Sequence, residues 1–357
     1  MDPSTCIIAT VNSVPDGTRE TLLHSGSSVT EALNPLQAEV LVLQATQAWR
    51  QGKLHQKEGR YEAAIAAYQQ ALLNYQQLGD SLNQAKLLQI LATAFYSNHS
   101  YLWAVDYGRQ ALKAARLLES LPMEQQALTH LGNSYRHLHD YAKALECMSS
   151  SLDLAKTLGD RTAEMVALNN LAMIQKRLEQ PQLAVQSYQA SLAIAQQLAD
   201  SALEAQILRN LGNTYYSLNL HNQAISCYEQ LLAMGQETLK PQVIGRILNH
   251  LSAACCNVGD YQRASGYLTQ QLELARRSQD YRGEAQTLER LGINYELQGD
   301  YATALKYREQ RLQLALWLQD ASLARQALRK LQEICIMMGE FARFTRYMDL
   351  VMESQGC

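Results

Sequence analysis

The chain has 357 residues, 47% of them hydrophobic, with three Phe and six Pro against nineteen Tyr and a heavy load of Ala, Leu and Gln. That much apolar material can bury a large core, and good helix formers outnumbering β-branched and aromatic residues point to an all-α chain. A formal net charge of −3 excludes a global field that would draw the whole protein to nucleic acid or an anionic membrane.

Residues 1–34 lack apolar periodicity, contain Ser, Thr, Gly and Pro, and are expected to form a loose tail. The tail carries Asp2 and no basic start, and its apolar run from Cys6 to Thr10 is too short for a signal peptide. Nowhere does an apolar stretch reach the about 18 residues that a membrane span needs, so the cytoplasm is the default location.

From residue 35 a forty-residue ruler takes over. Leu91, Leu131, Leu171, Leu211, Leu251, Leu291 and Leu331 keep it without a slip, and the next residue is small in six of the seven cases. Tyr61, Tyr101, Tyr141, Pro181, His221, Tyr261, Tyr301 and Phe341 keep a second register, with an Ala three residues on from Ala64 to Ala304. Leu72 to Leu312 keep a third. Each period reads as two helices, because Met165, Leu168, Leu171, Ala172 and Gln175, and then Ala184, Tyr188, Leu192 and Ala195, follow i, i+3, i+4 spacing.

The first (A) helices are expected near 36–57, 81–98, 121–138, 161–178, 201–218, 241–258, 281–298 and 321–338. The second (B) helices are expected near 61–78, 101–118, 141–158, 181–198, 221–238, 261–278, 301–318 and 341–354. Between them stand turns such as His139-Asp140, Gly159-Asp160 and Gly299-Asp300, where Gly takes positive φ and Asp caps the next helix. Pro122, Pro181 and Pro241 fall in first helical turns, where a missing N–H costs nothing. Small residues on both helices are expected to let two backbones pack closely. Gln51, Gln332 and Phe344 break the pattern at the ends, as capping repeats do.

Leu211-Gly212-Asn213-Thr214-Tyr215-Tyr216 followed by Ala224-Ile225-Ser226-Cys227-Tyr228 resembles a tetratricopeptide repeat, and so do the segments around Leu131-Gly132 and Leu291-Gly292. HEAT and armadillo arrays share the period range but lack this Leu-Gly plus Ala signature. The forty-residue period is similar to that of kinesin light chain and of Pins/LGN-type polarity scaffolds. The resemblance implies a right-handed α-α superhelix of eight helix pairs over 35–354, one continuous domain whose A helices line a concave groove for extended or helical peptides.

In the LGN-type scaffolds, Asn residues beside the Leu-Gly pair hold the peptide main chain, and that pattern maps onto Asn133, Asn170, Asn210 and Asn213. An amide side chain suits this work because it both donates and accepts. Later repeats depart from it, with His250, Ala253, Arg290 and Ile293 at those places. The co-chaperone clamp that grips a terminal carboxylate is matched only in part, since Thr129 stands where a Lys is needed.

The six implied groove positions on eight A helices make 48 residues. Twelve are basic: Arg50, Lys53, Lys57, Lys86, Arg136, Lys176, Arg177, Arg209, Arg246, Arg290, Arg329 and Lys330. Three are acidic: Glu289, Glu296 and Glu333. His130, His137 and His250 are expected to add charge at lower pH. Such a trough on an acidic protein points to an acidic protein or peptide partner, held by Arg136, Lys176, Arg177, Arg209, Arg246 and Arg290 with help from Asn249. Trp49, Tyr96 and Tyr216 occupy groove positions too, either to stack on a ligand or to touch the next repeat.

The seven cysteines have no metal-ligand spacing and an odd count, so neither a zinc site nor a disulfide framework is expected. No phosphate-binding loop, GxSxG or HExxH is present, so no enzyme and no cofactor are expected. The reading is a protein-interaction scaffold or assembly factor. Two alternatives stand beside it: a nucleic-acid-binding helical repeat, for which groove residues show no base-by-base code, and a peptide-responsive regulatory sensor, for which residues 1–34 are short of a DNA-binding domain.

Overall fold

The computed structural model describes residues 34–235 and 240–355. The A helices are α1 (Pro35–Lys57), α3 (Ser81–Ser97), α5 (Leu121–His137), α7 (Arg161–Arg177), α9 (Ser201–Ser217), α11 (Pro241–Asn257), α13 (Tyr281–Leu297) and α15 (Ala321–Met338). The B helices are α2 (Tyr61–Gln77), α4 (Tyr101–Leu117), α6 (Tyr141–Leu158), α8 (Pro181–Gln197), α10 (His221–Gly235), α12 (Tyr261–Arg277), α14 (Tyr301–Trp317) and α16 (Phe341–Gln355). Each helix packs on the next in the chain, and α3 also meets α5 while α5 meets α7. One pair cannot bury its apolar stripe alone, so eight pairs stack into a solenoid.

Every expected helix is present. Helix α10 is described as far as Gly235, and residues 236–239, which include its expected end at 238, lie outside the described part. The expected loose tail lies outside it as well, except for Asn34, which forms a capping box with Gln37 at the start of α1.

The turns explain where many acids go. Asp80, Asp140, Asp160, Asp200, Asp260, Asp280, Asp300 and Asp320 each accept a hydrogen bond from a backbone N–H of the following helix's first turn. Helix ends depart from the glycine rule. Six turns use Gly at φ of 66 to 78°, but eight place His99, Glu119, His139, Glu179, Ala199, Asn219, Gln279 or Gln319 at 50 to 61°. The tight packing of both flanking helices imposes the same left-handed turn whatever the residue.

The Leu ruler is buried throughout, and the B-helix alanines from Ala64 to Ala304 are fully covered. Burying one such Leu contributes about 1.5–3 kcal/mol. The small residue after the Leu works differently from expectation. A Cβ on Gly132 would lie 2.8 Å from Met148 Cε, and one on Gly212 would lie 2.8 Å from Tyr228 Cε1. The glycine is therefore a seat for a large B-helix side chain, not a point of bare backbone contact.

In repeat seven that seat holds a charge. Arg308 is 2% exposed, with Nε 2.6 Å from Glu296 Oε1 and Nη1 3.6 Å from Glu289 Oε1. Arg311 is buried too, its Nη1 2.5 Å from Glu289 Oε2. This quartet lies where the apolar core changes from the group around Leu268 and Leu291 to the group around Leu305 and Leu331. At the ends, Gln51 and Gln332 are exposed and Phe344 is half-buried, which fits capping.

Candidate functional site

Side chains of successive A helices bond to one another between α3 and α5, between α9 and α11, and between α11 and α13. Thr93 Oγ1 lies 3.3 Å from His130 Nε2, and Tyr96 OH lies 2.9 Å from His137 Nε2. Asn257 Nδ2 donates to Tyr216 OH at 3.0 Å, and Cys256 Sγ donates to Asn294 Oδ1 at 3.4 Å. A depression of about 240 Å³ is lined by Lys53, Gln56, Gln89, Thr93, Gln126 and His130 among others, so it spans α1, α3 and α5. A hollow shared by three successive A helices makes the wall concave there.

The amides divide into reachable and unreachable ones. Asn133 and Asn210 are half-buried and Asn249 is exposed. Asn213 is half-buried, and its Oδ1 accepts from Tyr228 OH at 2.7 Å. Asn170 corrects the expectation. It is only 7% exposed, packed beside Asn169 at 3%, and little of it can reach a peptide main chain. The aromatics are engaged with their surroundings: Tyr216 with Asn257, Tyr96 with His137, and Trp49 edge-on to Tyr75 at 6.2 Å.

Lys176, Arg177, Arg209 and Arg246 are exposed. Arg246 Nε makes a long contact of 3.4 Å to the Gln242 carbonyl. Arg136 and Arg290 are half-buried. Arg136 Nη2 sits 3.0 Å from His137 Nε2, and its buried Nε has no hydrogen-bond partner. Arg290 donates to Asn249 Oδ1 and, at 2.8 Å, to Ser252 Oγ; burial lowers its pKa. Among the described residues neither guanidinium has a carboxylate, and a half-buried cation so placed favours an anion.

The pairing pattern is one-sided. Among the described residues, Lys330 is the single member of the twelve wall cations in an ion pair, 2.6 Å from Glu333. All three wall acids, by contrast, are neutralised: Glu333 by Lys330, and Glu289 and Glu296 by Arg308 and Arg311 of α14. Other ion pairs lie between neighbouring elements away from the wall, such as Arg116 to Glu124 and Arg276 to Glu284, both 2.7 Å.

The histidines contribute less charge than expected. Burial lowers the pKa of His130, and for His137 and His250 nearby arginines add to the same effect. Their protonation therefore needs a pH below the ordinary imidazole range. Cys255 is fully buried and its thiol is pushed up to about 11, which makes it inert packing; Cys256 is half-buried and raised as well. The five described cysteines are all unpaired.

Sequence reasoning missed two features. The Arg308–Arg311 pair carried a readable signal, since Arg308 stands where Tyr68, Met148, Tyr188 and Tyr228 stand elsewhere. The second is a hollow beside the wall, lined by Gly245, Gln271 and Gly283, whose glycines stand at two different places of the forty-residue register.

A tetratricopeptide repeat family model matches residues 124–197, 164–237 and 243–316, and a second matches 49–78. Among solved structures, BtubC (BKLC) from P. vanneervenii is 22% identical at a TM-score of 0.51, over 67% of this chain and 92% of that one. Aspartyl phosphate phosphatase F from Bacillus subtilis is 14% identical at 0.53, over 80% and 73%. A signal transduction ATPase with numerous domains and a tetratricopeptide repeat sensor, from Pyrococcus horikoshii, is 15% identical at 0.56, over 89% of this chain and 49% of that one. At such identities the likeness speaks to the fold. No curated protein matches the sequence.

Proposed function

The chain belongs to the tetratricopeptide repeat family, and from that premise we propose that it is a non-catalytic interaction scaffold that captures an acidic peptide segment of a partner protein along its A-helix wall. The family and the fold support protein interaction in general. The acidic character of the partner rests on one observation: eleven of the twelve wall cations have no carboxylate among the described residues, while every wall acid is already paired.

Unpaired like charges on a concave surface repel one another, and a bound anionic chain relieves that repulsion. Arg177, Arg209 and Arg246 supply the exposed charge. Asn133, Asn210, Asn213 and Asn249 supply amides for the main chain, Arg136, Lys176 and Arg290 line the same wall, and Tyr216 braces it. Adaptor or assembly work in the cytoplasm fits unpaired thiols. No helix among the described residues is long and apolar enough to cross a membrane.

Carbodiimide cross-linking of the chain to a captured partner tests the assignment, because that reagent joins carboxylates to lysines. Links are expected at Lys53, Lys86 and Lys176 on the A helices; links confined to Lys113, Lys143 and Lys156 on the B helices overturn it. A nucleic-acid ligand would show itself by affinity falling steeply with salt, in proportion to the phosphates contacted.

A further inference from the structure

A depression of about 600 Å³ opens where α11, α12 and α13 meet. Arg246, Asn249 and Gln286, all at wall positions, form one side, so it lies alongside the proposed trough. Its size is that of an ordinary ligand pocket.

Two glycines hold it open. Gly245 stands where repeat four has Met165, and a Cβ there would meet only Leu274 Cδ2, at 3.5 Å. Gly283 stands where repeat five has Leu203, and a Cβ there would come 2.3 Å from Asp280 Oδ2, so the capping side chain must turn aside to admit one. Asp200 caps Leu203 in the same manner at 3.0 Å, so leucine fits this geometry. Glycine is a poor helix former inside a helix, and packing does not require it at Gly245.

The matching space in repeat three is closed: Gln125 Nε2 donates to Ser151 Oγ at 2.9 Å. In repeat six Gln271 takes the place of Ser151, Gly245 takes the place of Gln125, and Gln271 Oε1 is buried with no hydrogen-bond partner among the described residues. A buried acceptor left unpaired is unfavourable until a ligand supplies a donor.

We infer that this pocket anchors a tyrosine of the bound peptide; the inference deepens the proposed function and rests on it. Leu274, Ala275 and Pro241 give the ring an apolar surface, and a turn of the Gln271 side chain, which lines the pocket, brings its amide oxygen to accept from the phenol O–H. A hydroxyl also accepts, so it suits either orientation of the Gln271 amide. The Asp280 carboxylate on the same rim disfavours an acidic side chain inside, so acidic residues of the peptide stay outside on Arg246.

Saturation-transfer NMR with N-acetyl-L-tyrosinamide tests this with an uncharged probe, independent of the trough's charge. Transfer to the phenol ring is expected with the native chain, roughly tenfold weaker affinity is expected for N-acetyl-L-phenylalaninamide, and loss is expected in Gly245→Met/Gly283→Leu, with melting unchanged or raised. Gln271→Leu serves if the filled variant does not fold, and it is expected to erase the preference for tyrosine over phenylalanine. No transfer with the native chain, equal transfer in a folded filled variant, or an unaltered preference in Gln271→Leu overturns the pocket. Any of these leaves the acidic-peptide reading standing, since that depends on Arg177, Arg209 and Arg246.

Discussion

Repeats five and seven start from the same pair, Leu211-Gly212 and Leu291-Gly292, yet the side chain seated on the glycine differs. Tyr228 fills the first seat, 1% exposed, its hydroxyl bonded to Asn213. Arg308 fills the second, 2% exposed, gripped by Glu296 and Glu289. The seat is a property of the backbone, while its occupant decides whether a repeat is held by apolar burial or by ion pairing. The difference reaches the wall. Repeat seven turns two wall acids inward to serve buried arginines, and so removes two carboxylates from the trough.

The sharpest way to break this comparison is to empty each seat's support. Tyr228→Ala is expected to cost about 4 kcal/mol through cavity formation, read from urea unfolding. Glu289→Ala is expected to cost about 3 kcal/mol, because it strips partners from two buried guanidiniums. If both losses were small, neither seat would be structural.

A milder change sharpens the contrast. Arg308→Met with Glu296→Gln copies the Met148 seat of repeat three and leaves Arg311 paired with Glu289. Its unfolding midpoint is expected to lie within about 1 kcal/mol of the parent or above it, since hydrophobic replacement of a buried pair is commonly neutral or stabilising. A large loss would mean that the charges hold the repeat more strongly than Met packing does.

Acid acts on repeats three and six. The folded pKa values of His130 and His250 lie below the ordinary imidazole value, so the unfolded chain binds more protons over that window. Stability is full above about pH 6.5 and declines as pH falls toward the lowered folded values. Hydrogen exchange is expected to show α5 and α11 losing protection first from this cause.

The smallest effects lie in the turns that close the two A helices. Gly299→Ala in repeat seven is expected to cost about 1 kcal/mol, because its φ of 76° is hostile to a Cβ. Asn219→Gly in repeat five is expected to gain a few tenths of a kcal/mol, since Asn already tolerates its φ of 57°. Thermal melts of both variants check the pair.

The ruler of leucines made the helices legible because helix spacing and turn chemistry are local properties of the chain. What rests on a glycine was less legible, since the seat at Gly212 and its occupant Tyr228 are 16 residues apart and belong to different helices. Arg308 was nonetheless visible as a charge in an aromatic register. Asn170 shows the opposite failure: its motif position was clear, but its burial depends on neighbouring helices that no local pattern describes. The pairing of Glu289 and Glu296 likewise became visible only when α14 was placed against α13.

The central claim is that the unpaired cations of the A-helix wall capture an acidic chain. Fluorescence anisotropy of a labelled glutamate-rich peptide, titrated with the native protein and with Arg177→Glu/Arg209→Glu/Arg246→Glu, tests it most directly. The account predicts that affinity falls by about a hundredfold or more while helicity and melting stay the same. Equal affinity in a folded triple variant would contradict it.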